Sequence, residues 1–207
     1  MSQSKEHYSV NGKQVIFLHI PKTAGVSMLD FVYSHNIIIN GHDIRSPQYL
    51  SLYGYTQKFT PDIFAFCFVR NPWDRAVSAY YYLEQEMGHE GDIADKYRYT
   101  HQYESFDDFV VNGLPHNGAF TDQMHFRTQS SWMKRPDNTY IPEFIGKFEN
   151  LQSDFNLLCD EIEVDRYVLG HENKSKRKNY REYYSDASAR IIADLYQEDI
   201  NQFRYSF

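Results

Sequence analysis

Two apolar runs constrain this chain more than any other feature. "QVIFLHI" (14–20) and "DIFAFCFV" (62–69) are almost continuously hydrophobic and rich in β-branched and aromatic residues. That is the signature of strands covered on both faces, as in a parallel sheet. Each run ends abruptly in a basic residue and a helix start. The first continues into "PKTAGVSMLDFVYSH", the second into "RNPWDRAVSAYYYLEQEM". The second start is strongly marked, with Asn71 as N-cap, Pro72 at the first helical position and Asp74 in the first turn. Ala76, Ala79, Tyr80 and Leu83 then share one helical face.

Weaker strand signals lie at "NIII" (36–39) and "FIGKF" (144–148). Further helices are expected at 105–113, 150–162 and 185–203, the last with Ile191, Ile192, Leu195 and Phe203 on an apolar stripe. Strands alternating with helices predict a three-layer α/β fold, a mainly parallel central sheet flanked by helices. The segments 88–104 and 113–140 are polar, aromatic-rich and read as long loops, which in compact domains tend to carry function. At 207 residues, with no linker or repeat, the chain reads as a single domain over 1–207.

Charge narrows the function classes. The formal net charge of -7 disfavours general nucleic-acid binding, while leaving room for a local basic pocket. Cys67 and Cys159 both sit in apolar surroundings without metal or disulfide spacing. The start "MSQSKEHYSVNGKQ" lacks the apolar core of a signal peptide, and the longest apolar run is too short for a membrane span. A cytoplasmic protein without a membrane span is expected.

Two constellations carry chemistry. In "IPKTAGVS" a strand, a tight loop and a helix start surround Lys22, with Thr23 and Ser27 as hydroxyl donors and Ala24 and Gly25 allowing close backbone approach. Backbone N–H groups and the helix dipole would favour an anion there. The nucleoside-triphosphate loop G-x-x-x-x-G-K-[ST] is absent, because lysine here precedes the small residues. Spacing alone leaves an anion site and a plain strand-to-helix turn equally open. In "VRNPWDRAVSAY", Arg70 stands beyond the carboxyl end of a strand, where open α/β sheets bind ligands, and Ser78 follows two turns into the helix. The alternative makes Arg70 a capping or salt-bridge residue near Asp74.

Taken together, "IPKTAGVS" and "VRNPWDRAVSAYYYL" resemble the carbohydrate sulfotransferases, a family that includes the heparan sulfate 2-O-sulfotransferases and bacterial homologues. The resemblance implies a sulfotransferase architecture like that of P-loop kinases. It also implies transfer of a sulfuryl group from 3′-phosphoadenosine-5′-phosphosulfate (PAPS) to a hydroxyl, with 3′-phosphoadenosine-5′-phosphate (PAP) as product. By that resemblance Lys22, Thr23, Ala24, Gly25, Val26 and Ser27 hold the 5′-phosphosulfate, and Arg70 and Ser78 the 3′-phosphate. The ending "ENKSKRKNYREYYSDASARIIADLYQEDINQFRYSF" is similar to the family's C-terminal basic loop, which implicates Lys174, Ser175, Lys176 and Arg177. Val26 departs from the threonine of many relatives, removing a hydroxyl but keeping the backbone N–H.

The resemblance also orders the catalytic candidates. Lys22 is placed at the bridging oxygen, and His42 in "NGHDIRS" matches the family's base position, with Asp43 beside it as a second choice. His125, in "HFRTQ", is the runner-up base; Thr128 replaces the proline of the related stretch. His19 is expected to pack within its strand. No metal is expected, since no ligand spacing is visible. The acceptor is expected to be a glycan, glycolipid or small hydroxyl compound. The competing readings are a nucleotide-dependent kinase of similar fold and a non-catalytic nucleotide- or glycan-binding relative.

Overall fold

The computed structural model describes residues 7–41, 62–85, 90–135, 137–170 and 177–207. The main elements are β1 (Ser9–Val10), β2 (Lys13–His19), α1 (Gly25–Ser34), β3 (Ile38–Gly41), β4 (Ile63–Val69), α2 (Pro72–Glu84), β5 (Phe144–Lys147), α3 (Leu151–Glu161), α4 (Asp186–Leu195) and α5 (Gln197–Phe203). They pack as two compact units, Met1–Val69 with Trp132–Lys174 and Arg70–Ser131 with Ser175–Phe207.

The first unit holds the sheet, a mixed one of mostly parallel strands flanked by helices. β2 pairs in parallel with β3 and β4, and β4 in parallel with β5, so Phe17 lies beside Phe66 and Phe66 beside Phe144. Among the described strands, β1 alone runs antiparallel, against Lys13 and Gln14 at the start of β2. Val15 to His19 in β2 and all of β4 are buried at both side-chain parities, as expected for strands covered on both faces. Met28, Phe31 and Val32 of α1 join Phe155, Leu158 and Cys159 of α3 in one core with Phe17, Phe66 and Phe68. Phe31 meets Phe155 edge-on at 4.8 Å. Cys67 is fully buried against Met133 (Sγ to Sδ 3.3 Å), and burial pushes its thiol pKa up, so it behaves as a small hydrophobe.

The second unit is organised around α2. Asn71 accepts from the N–H of Trp73 at 3.0 Å, and Pro72 occupies the first helical position. Trp73, Ala76, Val77, Tyr80 and Leu83 pack with Phe106, Phe109, Phe126 and Ile192.

Three sequence expectations change here. The expected loop 88–104 contains a helix, Glu90–Asp95, running into a π-helical turn, Lys96–Thr100. The expected helix 105–113 is α-helical only over Phe106–Asp108 and π-helical over Phe109–Gly113. At Gly113 a Cβ would lie 2.5 Å from Cζ of Tyr103, so the widened turn needs a residue without a side chain. The expected helix 185–203 breaks at Tyr196, whose buried hydroxyl donates to the carbonyl of Phe126. Among the described residues, no helix is long and apolar enough to cross a membrane.

Candidate functional site

In the first unit, β2 delivers its end into the lysine loop, and α1 begins at Gly25. The turn is made by left-handed backbone at Lys22 (φ 69°) and Ala24 (φ 76°). That conformation is costly for residues with a Cβ and persists only where the surroundings impose it. Thr23 imposes part of it. It is 1% exposed, and its hydroxyl donates to the carbonyl of Ile20 at 2.8 Å. The Thr23 proton therefore closes the turn instead of facing outward.

Ala24 is the N-cap of α1, and its methyl side chain makes no capping hydrogen bond to the first turn. Left-handed residues interleaved with such N–H groups form a concavity suited to an anion. Lys22 and Ser27 are half-buried at this loop, while Val26 is exposed. Gly25 is required for a different reason. A Cβ there would stand 1.6 Å from Nε2 of His19, so the imidazole fills the space against the first residue of α1. His19 is buried and stacks on Phe17 at 5.5 Å, as expected of a strand histidine.

In the second unit, Arg70 is 7% exposed and is held by Asp74 and Gln129. Its Nε and Nη2 lie 2.8 and 2.7 Å from Oδ2 of Asp74. The side-chain amide of Gln129 grips its backbone on both sides. Oε1 accepts from the Arg70 N–H at 2.8 Å, and Nε2 donates to the Arg70 carbonyl at 2.9 Å. Gln129 is itself held by Asp199, whose carboxylate accepts from the N–H groups of Gln129 (2.6 Å) and Ser130 (2.9 Å).

Arg177 reaches the other oxygen of Asp74, Nη2 to Oδ1 at 2.5 Å. Two guanidinium groups therefore share one carboxylate, a cluster of net charge about +1. Ser78 is half-buried one turn beyond Asp74 on the same helical face. Close by, Tyr184 donates to the carbonyl of Trp73 at 2.8 Å, and burial raises its phenol pKa well above the usual value.

The structure thus brings Arg70 and Arg177 together, and places Lys22, Thr23, Ala24, Gly25, Val26 and Ser27 in one loop at the start of α1. Lys174, Ser175 and Lys176 lie outside the described residues, as do His42 and Asp43. His125 lies in the core of its unit, 2% exposed. Its backbone N–H donates to Oε1 of Gln123 at 2.6 Å, and its Nδ1 stands 2.8 Å from Nε2 of Gln123. Its ring lies over Tyr82 at 4.9 Å. Among the described residues, no three His, Cys, Asp or Glu side chains stand together as a metal site.

The Arg70–Asp74 salt bridge, the alternative offered from sequence, is present, while the meeting of the second arginine, Arg177, on that carboxylate was not foreseen. Gln129 and Asp199 were missed and left no signal, being 70 residues apart.

The family model that matches the chain is that of the sulfotransferase family, over residues 6–206. No curated protein and no solved structure matches it.

Proposed function

The chain belongs to the sulfotransferase family, and on that premise we propose that it moves the sulfuryl group of PAPS to a hydroxyl of a carbohydrate acceptor. One observation carries the donor assignment. Arg70 and Arg177, far apart in sequence and both assigned to the donor by resemblance, converge on the same carboxylate. The lysine loop supports it with an N-cap alanine that offers no side-chain cap and with left-handed backbone suited to an anionic group.

In this reading Arg70, Arg177 and Ser78 take the 3′-phosphate. The loop N–H groups and Ser27 take the 5′-phosphosulfate. Sulfuryl transfer joins the acceptor oxygen to sulfur and breaks the bond from sulfur to the bridging oxygen, which leaves with the electron pair on the 5′-phosphate. Lys22 neutralises that developing charge, and the loop orients the donor for in-line attack. His42, assigned by resemblance, takes the hydroxyl proton, with Asp43 as the second choice. His125 is a weaker candidate, since a buried imidazole engaged with Gln123 is better suited to holding the core.

Thermal melting tests the reading. PAP should raise the melting temperature by about 5–10 °C at a hundredfold excess over its Kd, the size expected when a ligand binds only the folded state. ATP–Mg should leave it unchanged. A shift with ATP–Mg and none with PAP would establish the kinase alternative instead. For the base, His42→Ala should keep PAP binding and lower turnover by about 10²–10⁴-fold. Turnover at the wild-type rate would transfer the role to Asp43 or His125.

A further inference from the structure

Asp74 poses an electrostatic puzzle. A carboxylate placed among the groups assigned to a phosphate should repel that phosphate. Yet Asp74 pairs with Arg70 at 2.7 Å and Arg177 at 2.5 Å, and its side chain is only 18% exposed. Arg70 and Arg177 are buried further, at 8% and 15% side-chain exposure. Each guanidinium is a planar fork whose direction is set by what it pairs with. Arg177 also donates to the backbone carbonyl of Asp74 at 3.4 Å, so it is tied to the first turn of α2 as well as to the carboxylate. Two guanidinium groups meet on one carboxylate mostly out of water, where the geometry of each charge-assisted hydrogen bond is set by that shared partner.

Resting on the donor assignment above, we propose that Asp74 is a positioning residue for the 3′-phosphate: it aligns Arg70 and Arg177 into a single two-arginine clamp. Asp74 does not touch the phosphate in this role. It fixes the planes of the two groups that do, and it ties the segment beginning at Arg177 to the strand-end arginine.

The sign of one measurement separates this role from simple electrostatics. Removing a negative charge beside an anion site should tighten anion binding by Coulomb attraction alone. A purely structural role, a favourable acid in the first turn of α2, would lower stability and weaken all nucleotides alike. The positioning role weakens only ligands that carry the 3′-phosphate.

Calorimetric affinities for PAP and for adenosine 5′-phosphate, which lacks that group, distinguish the three. Asp74→Asn should weaken PAP about tenfold, the scale of one charge-assisted hydrogen bond, and change adenosine 5′-phosphate less than about twofold. Asp74→Glu should restore most of the loss. Arg177→Gln keeps the Asp74 carboxylate in the first turn of α2 and should show the same selective loss, and adding Asp74→Asn to it should cost little more. Equal or tighter PAP binding by Asp74→Asn, or an unchanged preference for PAP in Arg177→Gln, overturns the clamp while the donor reading stands. A wild-type protein that binds no PAP overturns both.

Discussion

Gly25→Ala should all but abolish PAP binding and lower the melting temperature by about 5 °C, although it adds one methyl group. The new Cβ would lie 1.6 Å from Nε2 of His19 and 2.4 Å from Cδ2 and Cε1, far inside contact distance. The imidazole has little room to retreat. It stacks on Phe17 (5.5 Å, 16° between planes), and Phe17 stacks on Phe66 (5.1 Å, 23°), both fully buried in adjacent strands. Either the ring leaves its stack or the first turn of α1 moves away.

Overpacking of this kind costs about 1–3 kcal/mol, which gives the stability change in a chain of this size. The binding change is larger because the displaced backbone is the anion-facing backbone, and losing two or more of its hydrogen bonds to an anion, at about tenfold each, is worth about a hundredfold. Two measurements check the cause. Gly25→Ala should bind PAP about a hundredfold more weakly than wild type. The double variant His19→Ala, Gly25→Ala should melt above Gly25→Ala alone, because the clashing ring is gone. Wild-type affinity in the single variant would mean that the loop yields freely and that His19 does not support it.

What the sequence made legible follows from how local each signal is. β2 and β4 announce themselves because burial on both faces demands an unbroken apolar run, and α2 because Asn71 and Pro72 mark its start within two residues. The lysine loop was legible for the same reason, as a contiguous stretch between a strand and a helix. β1 was not, since two residues, Ser9–Val10, leave no pattern to read.

The helical character of 90–100 was hidden by polar residues doing the work of apolar ones. Lys96 is 6% exposed and donates to the Glu84 carbonyl, while Thr100 is fully buried and donates to the Glu84 carboxylate at 2.6 Å. A buried face built on hydrogen bonds shows no hydrophobic periodicity. In the site, the resemblance pointed to Arg70 and Arg177, but not to the carboxylate on which they meet. Thr23 was read as a donor to a ligand, whereas its hydroxyl proton is spent on Ile20. Long-range partners such as Gln129 and Asp199 leave no trace in spacing, because tertiary folding alone joins them.

Asp199→Asn, an isosteric change far in sequence from either motif, should destabilise the protein by about 3–5 kcal/mol and lower its melting temperature by about 10 °C. Asp199 is fully buried, and its two oxygens accept from the N–H groups of Gln129 and Ser130. An asparagine keeps one acceptor but turns an NH2 group toward a backbone donor, leaving a buried N–H unsatisfied. The lost charge matters as well. Arg75 is 1% exposed and donates to the Arg127 carbonyl at 2.8 Å. Burial pushes its pKa down, and Tyr196 and Asp199 oppose that push. Neutralising Asp199 removes a counter-charge from a buried guanidinium, the costly way to break such an arrangement.

Adding Arg75→Met should therefore recover part of the lost stability, since it removes the charge that Asp199 had balanced. The damage should also reach Arg70, whose backbone is gripped by the Gln129 amide that Asp199 holds in place. Asp199→Asn that still folds at low temperature should bind PAP more weakly than wild type while keeping its affinity for adenosine 5′-phosphate. Urea unfolding within about 1 kcal/mol of wild type, below the usual cost of an unsatisfied buried group, would show that Asp199 is not the anchor of this network.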